Sequence, residues 1–123
     1  MNRPSILVVD DELLIRDLLY DFFTQQGWDI AIAESGEKAL EILRDKKVDL
    51  MLTDLKMPAM DGMTLTSQVR EGYPDIPVVI MTGYPSVDSA VDALRQRVAD
   101  YVIKPLNINK LYKTIEANLK KES

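Results

Sequence analysis

Two adjacent carboxylates follow the first apolar run of this sequence. The segment SILVVDDELL, residues 5–14, leads directly into Asp10 and Asp11, and a third acid, Glu12, comes next. Two negative charges about 4 Å apart cost on the order of 4 kcal/mol at an effective dielectric near 20. Such a pair is tolerated when one pKa rises or a cation binds, so the segment predicts a positively charged partner.

Polar groups with complementary chemistry end three further apolar runs. Asp54 lies in LTDLKMPAMDG, Thr82 in MTGYP and Lys104 in VIKP. Hard oxygen ligands select Mg²⁺ or Mn²⁺ over softer metals, and bound Mg²⁺ suits phosphoryl chemistry. We therefore predict an acyl-phosphate site in which Asp54 is the nucleophile, and Lys104 and the Thr82 hydroxyl meet the other phosphoryl oxygens.

The composition excludes several other kinds of site. The 123 residues include no cysteine and no histidine, which excludes disulfides, thiolate or histidine metal sites and a Ser-His-Asp triad. A net charge of −5 argues against direct nucleic-acid binding. No apolar run approaches the roughly 20 residues that span a bilayer, and the N-terminus turns acidic too early for a signal peptide. We therefore expect a cytoplasmic protein without a membrane segment.

Short apolar runs alternate with amphipathic segments, which predicts an α/β fold. The predicted strands are residues 5–10, 29–33, 48–54, 77–82 and 100–104. The second alternates in polarity as an edge strand does, whereas the first, third and fourth are apolar on both faces. This pattern predicts a parallel sheet with helices on both faces and ligands beyond the carboxyl ends of the strands. In an order such as 2-1-3-4-5, the three aspartates converge, flanked by Thr82 and Lys104.

Capping residues and apolar spacing predict five helices. The first covers residues 12–25, and the starts of the others are marked by Ser35, Asp61-Gly62, Ser86 and Asn107. The apolar positions of the last four are Ala39, Leu40 and Leu43; Leu65 and Val69; Val87, Ala90, Val91 and Leu94; and Ile108, Leu111, Ile115 and Leu119.

The motifs VVDDE, LTDLKMPAMDG, MTGY and DYVIKP, at their spacing here, resemble the receiver domain of two-component response regulators over essentially the whole chain. The resemblance implies a flavodoxin-like three-layer sandwich with strand order 2-1-3-4-5. It also implies a phosphoacceptor domain that catalyses only its own phosphorylation and dephosphorylation. The receivers most similar in MTGYPSVDSAVDAL and DYVIKP are found on bacterial transcription activators.

By this resemblance, Asp54 accepts a phosphoryl group from a phosphohistidine on a sensor histidine kinase. Asp10, Asp11, Asp54 and the backbone carbonyl of Lys56 hold Mg²⁺, directly or through water. Lys104 pairs with the phosphoryl group.

The resemblance also implies a switch. Thr82 turns to hydrogen-bond the phosphoryl group, and Tyr101 moves inward behind it, so phosphorylation shifts the population between two arrangements. The bond between Lys104 and Pro105 is expected to be cis. The side chains of Lys56 and Tyr84 line the phosphoryl site and alter the dephosphorylation rate.

One departure from the family pattern precedes DYVIKP. The family commonly has Gly-Ala there, whereas this chain has Arg97 and Val98. We expect Arg97 to resist a left-handed cap, so that the fourth helix ends differently. This would alter the face formed by the fourth helix, fifth strand and fifth helix, through which an output domain, a partner or a second copy is expected to bind.

The residue types of the loop MPAMDG predict how its backbone is constrained and how its side chains pack. Pro58 fixes the loop, Gly62 tolerates unusual backbone angles, and Met57, Met60 and Met63 are expected to pack it. We expect one domain over residues 1–123, with residues 120–123 as a polar tail or the start of a linker.

Three other functions are weighed against the receiver hypothesis. A Mg²⁺-dependent aspartyl-nucleophile phosphatase usually has a second Asp two residues after the nucleophile, where this chain has Lys56. An FMN-binding flavodoxin needs a phosphate loop after the first strand, where acids would repel the phosphate. A receiver-like fold that regulates without phosphate usually lacks one of the acids, and none is missing here.

Overall fold

A five-stranded parallel sheet between two layers of helices forms the protein in a computed structural model, which describes residues 3–120. The elements are β1 (Ser5–Val9), α1 (Leu13–Gln25), β2 (Asp29–Ala33), α2 (Gly36–Asp45), β3 (Leu50–Asp54), α3 (Gly62–Gly72), β4 (Val78–Thr82), α4 (Val87–Arg95), β5 (Asp100–Ile103) and α5 (Ile108–Lys120). The strand order β2-β1-β3-β4-β5 confirms the predicted topology, with β2 at one edge.

Alternate residues of the central strands enter two separate cores, because successive side chains of a strand point to opposite faces. Ile6 and Val8 of β1 pack with α1 and α5 on one face, whereas Leu7 and Val9 pack with α2 and α3 on the other. Every residue of β1, β3 and β4 is buried, as expected for strands covered on both sides.

The predicted caps begin four of the helices. The side chains of Ser35, Asp61, Ser86 and Asn107 each accept a hydrogen bond from a backbone N–H three residues later. The predicted inner positions of α2, α3 and α5 are buried or partly buried, and the three loop methionines pack against the second core. These expectations are confirmed.

The apolar stripe of α4 is mostly exposed. Val87 is 79% exposed and Leu94 is 78% exposed, and the buried residue of this helix is Ala93. The stripe is regular in the sequence, but only the side of α4 that carries Ala93 meets the rest of the domain.

The expectation for Arg97 was wrong. Its φ is +57°, so it occupies the left-handed region. Helix α4 ends in a Schellman motif, in which Arg97 N–H donates to Leu94 O and Val98 N–H donates to Ala93 O. The two hydrogen bonds satisfy carbonyls at the helix end and hold a residue type that usually avoids this conformation.

The described residues end with α5, so residues 121–123 of the predicted polar tail lie outside them. Between residues 3 and 120, the helices are too short or too polar to cross a membrane.

Candidate functional site

Asp54, the last residue of β3, is held by the loop that follows it. Leu55 N–H donates to Asp54 Oδ1 at 2.9 Å, and Gly62 N–H donates to Leu55 O at 2.7 Å. A Cβ on Gly62 would lie 2.2 Å from the carbonyl oxygen of Asp54. The predicted reason for Gly62 was therefore wrong: the need is for close backbone approach, and the left-handed residue of this loop is Ala59, at φ +66°.

Four charged side chains meet beyond the carboxyl ends of β1, β3 and β5. Lys104 Nζ lies 2.9 Å from Asp10 Oδ2, 3.4 Å from Glu12 Oε1 and 3.6 Å from Asp54 Oδ2. One carboxylate oxygen from each of these three acids lies within 4.8 Å of the others. Asp10 is completely buried and Asp54 is 6% exposed, so their charges depend on Lys104 for compensation.

The burial and the like charges change the proton affinity of the central groups. Burial raises the pKa of Asp54 from its ordinary 3.8 to about 6; the charge of Asp10 adds to this rise, and Lys104 opposes it. Burial alone would lower the pKa of the Lys104 ammonium, but the hydrogen bond and charge of Asp10 raise it overall. Asp54 is thus mostly ionised at neutral pH, and Lys104 stays protonated.

Glu12, for which the sequence predicts no position, lies in the cluster, whereas Asp11 does not. Asp11 is exposed and is not among the oxygens clustered within 4.8 Å, although its charge still raises the pKa of Asp54. Glu12 joins the cluster because Lys104 attracts it. The third acid of VVDDE was the sequence signal for this residue, which was noted without a role.

Arg16 also contributes to the turn after β1. Its guanidinium donates to the backbone carbonyl of Asp10 at 2.9 Å, from one turn into α1. This contact joins α1 to the turn that carries the acids, and no pattern in the sequence predicts it.

Thr82 ends β4, and Lys56 and Tyr84 each lie two residues beyond the end of a strand. Thr82 is completely buried, and its hydroxyl accepts a hydrogen bond from Tyr84 N–H at 3.0 Å; within residues 3–120 it makes no hydrogen bond to Asp54. The Tyr84 side chain is 71% exposed, and Lys56 Nζ lies 5.5 Å from the centre of its ring. A cation–π contact therefore joins the two side chains predicted to line the phosphoryl site.

Tyr101 lies one strand away from Thr82. Its side chain is partly buried against the second core, and its hydroxyl lies 2.6 Å from Ser89 Oγ on α4. The Lys104–Pro105 peptide bond that follows β5 is cis.

The sequence that carries these strand-end groups matches a known protein family. A sequence model described as "Response regulator receiver domain" matches residues 6–116. The chain belongs to this family. The receiver domain is part of two-component signalling, and receiver domains interact with histidine kinases.

Related proteins extend beyond the length of this receiver domain. It is 43% identical over 118 residues to the transcriptional regulatory protein ZraR of Klebsiella oxytoca, and the match covers 96% of this chain and 27% of ZraR. It is 36% identical over 123 residues to the transcriptional regulatory protein GlrR of Escherichia coli K12, with 99% of this chain and 28% of GlrR covered. The chain thus spans about a quarter of the length of these curated relatives.

Solved structures of other receivers have the same fold. A CheY-like receiver domain protein from Methanospirillum hungatei superposes with a TM-score of 0.96 at 27% identity, covering 98% of this chain and 97% of the other. The response regulator TrrA of Thermotoga maritima, solved in complex with Mg²⁺-BeF, has a TM-score of 0.85 at 30% identity over 94% of this chain and 98% of its own. The flavodoxin-like fold is confirmed.

Proposed function

We propose that this domain accepts a phosphoryl group on Asp54 from the phosphohistidine of a sensor histidine kinase. The observation that carries the proposal is the meeting of Asp10, Asp54 and Lys104 at one edge of the sheet. A carboxylate oxygen of Asp54 attacks phosphorus, the P–N bond breaks, and the donor imidazole leaves with the electron pair. The attack needs ionised Asp54, and a pKa of about 6 leaves it ionised at neutral pH.

The carboxylates fit a hard divalent cation. Asp10, Asp11 and Asp54, with the backbone carbonyl of Lys56, would hold Mg²⁺, or Mn²⁺ in its place. The clustering of oxygens from Asp10, Glu12 and Asp54 supports a cation at this edge and suggests Glu12 as an additional acid beside it. Such an ion would offset the negative charge of the phosphoryl oxygens, which these acids would otherwise repel.

The structural response to phosphorylation involves Lys104, Thr82 and Tyr101. The Lys104 ammonium, 3.6 Å from Asp54 Oδ2, pairs with a phosphoryl oxygen. The Thr82 hydroxyl turns from Tyr84 N–H toward the phosphoryl group, and Tyr101 moves inward behind it. These are two arrangements of one fold, and the phosphoryl group stabilises the second.

The dephosphorylation rate depends on Lys56 and Tyr84. Lys56 and Tyr84 form a cation–π contact with each other, and we propose that this pair alters the access of water to the acyl phosphate on Asp54. Separating the pair should therefore change the lifetime of the phosphorylated form.

The face formed by α4, β5 and α5 is the surface through which the phosphorylated domain binds its output domain or partner. Val87, Leu94 and Ile103, which is 55% exposed, offer apolar surface there to an output domain, a partner or a second copy. The kinase, the output partner and a cytoplasmic location remain predictions that follow from the sequence.

Acetyl phosphate with Mg²⁺ tests the phosphoacceptor. We expect the protein mass to increase by one acid-labile phosphoryl group, and we expect Asp54→Asn to abolish this labelling. Asp61→Asn is the matched control, because Asp61 caps α3 in the same loop and Asn caps equally well. Unchanged labelling of Asp54→Asn would move the phosphorylated residue elsewhere.

A Mg²⁺ titration tests the ligand assignment separately. We expect Asp11→Ala to weaken Mg²⁺ binding by about tenfold or more, since even outer-shell partners of a metal contribute that much. Binding that is unaltered in Asp11→Ala and lost in Glu12→Gln would assign the ligand role to Glu12 instead.

A further inference from the structure

The first turn of α4 is closed by two serines. Ser86 is the N-cap, and its Oγ accepts a hydrogen bond from Ser89 N–H at 3.0 Å. Ser89 Oγ in turn accepts from Ser86 N–H at 3.3 Å. The return bond of such a capping box is usually made by the long side chain of Glu or Gln. Serine is shorter, so its hydroxyl stays close to the helix backbone.

The Ser89 hydroxyl also reaches β5. It lies 2.6 Å from the Tyr101 hydroxyl, 3.0 Å from Ser86 Oγ and 3.2 Å from Ser86 O. A hydroxyl donates one hydrogen bond and accepts at most two. Ser89 Oγ donates to Ser86 O, so Ser86 N–H, Ser86 Oγ and the Tyr101 O–H share its two acceptor positions.

The loop between β4 and α4 is thus held at both ends by residues of the proposed switch. Thr82 binds the Tyr84 N–H at the start of the loop, and Tyr101 binds Ser89 just after its end. If Thr82 turns toward a phosphoryl group, its bond to Tyr84 is lost. The Ser89–Tyr101 hydrogen bond then remains as a direct link between Tyr101 and α4.

We propose that Ser89 is a positioning residue that holds Tyr101 on α4 and opposes its inward movement. This inference rests on the proposed function, because the inward movement of Tyr101 belongs to that proposal. The inward arrangement requires the Ser89–Tyr101 hydrogen bond to break, so the bond stabilises the arrangement in which Thr82 is turned away from Asp54. Removing the Ser89 hydroxyl should make phosphorylation more favourable.

The hydrogen bond is tested first in the unphosphorylated domain. Urea unfolding is measured for the wild type, Ser89→Ala, Tyr101→Phe and the double variant. We expect each single change to reduce the folding equilibrium constant about five-fold, and the double variant to lose no more than one of the singles. Additive losses would show that the two hydroxyls do not interact and would overturn the proposal.

The effect on the switch is tested with beryllium fluoride and Mg²⁺ as the phosphoryl mimic. We expect the mimic to bind about five-fold more tightly to Ser89→Ala than to the wild type, because one hydrogen bond no longer has to be broken. Ser89→Thr keeps a hydroxyl and should bind as the wild type does. Equal or weaker binding to a folded Ser89→Ala would overturn the proposal.

A matched control separates the loss of a hydroxyl at the third helical position from the loss of the link to Tyr101. Thr64 occupies the same third helical position in α3 and is exposed, so Thr64→Ala should leave mimic binding unchanged. If Thr64→Ala tightened binding equally, the Ser89 effect would be non-specific and the proposal would fail. Failure of the proposed function is distinguishable, since the mimic would then bind neither the wild type nor any variant.

Discussion

The loop after β3 and the helix α4 are held to the domain in opposite ways. At the loop, Gly62 lies so close to the Asp54 carbonyl that no Cβ fits between them, and buried charges surround the carboxylate. Helix α4 buries Ala93, exposes most of Val87 and Leu94, and is followed by Arg97, which has a positive φ.

This difference separates the place of chemistry from the place of movement. A phosphoacceptor must stay within reach of Lys104 and a divalent cation, and close packing holds Asp54 there. An element that changes position must lose little packing when it moves, and α4 has little to lose. The two regions are joined through Thr82 and Tyr101, whose hydroxyls both bind the segment at the start of α4.

The largest effect is expected at Gly62. Gly62→Ala places a Cβ against the Asp54 carbonyl, where backbone cannot give way without shifting the site, and should destabilise the domain by about 3 kcal/mol. Gly72→Ala is the control, because no atom lies within 4 Å of the new Cβ and alanine favours the helix. Urea unfolding measures both. A Gly62→Ala domain as stable as the wild type would show that the loop yields, and would remove the contrast with α4.

The next effect concerns the charge of Asp54. A folded pKa of about 6 against an ordinary 3.8 means that the folded state binds the proton more tightly than the unfolded state does. The loss of folding stability that comes from ionising Asp54 is therefore absent below about pH 4, grows as the pH rises toward 6, and is complete above pH 6. Asp54→Asn should stabilise the domain by about 2–3 kcal/mol at pH 7.

Unfolding of the wild type and Asp54→Asn between pH 4 and pH 7 measures this cost. The stability difference between them should shrink as pH falls, since the wild-type carboxyl then becomes neutral. A difference that is constant across this range would show that Asp54 has an unshifted pKa and that the site is not electrostatically costly.

The smallest effect is expected at the end of α4. Arg97→Gly removes the steric cost of a left-handed arginine, and should stabilise the domain by about 0.5–1 kcal/mol after the greater flexibility of glycine in the unfolded chain is subtracted. The end of α1 provides the reverse control, because Gly27 has φ +88° in the same Schellman arrangement. Gly27→Ala should destabilise by about 1 kcal/mol. Thermal unfolding measures both, and a destabilised Arg97→Gly would mean that the Arg97 side chain contributes more than its backbone costs.

The fold was largely predictable because its signals are local. Runs such as residues 77–82 are apolar on both faces, and Ser35 and Asn107 precede amphipathic segments, so strands, helix starts and two-sided burial follow from short stretches. The order of the strands is not local, and it came from the resemblance to receivers. The ending of α4 was mispredicted because the intrinsic preference of Arg97 was outweighed by the two hydrogen bonds that close the helix.

The groups at the strand ends could be assigned from the order of residues alone, because parallel strands that alternate with helices bring their carboxyl ends to one edge. Three contacts could be seen only in the folded protein: Glu12 rather than Asp11 approaches Lys104, Gly62 is needed for close approach, and the Tyr101 hydroxyl binds Ser89. These three depend on distances between side chains from different elements. A linear pattern cannot specify such distances, since they are set by how the strands and helices pack together.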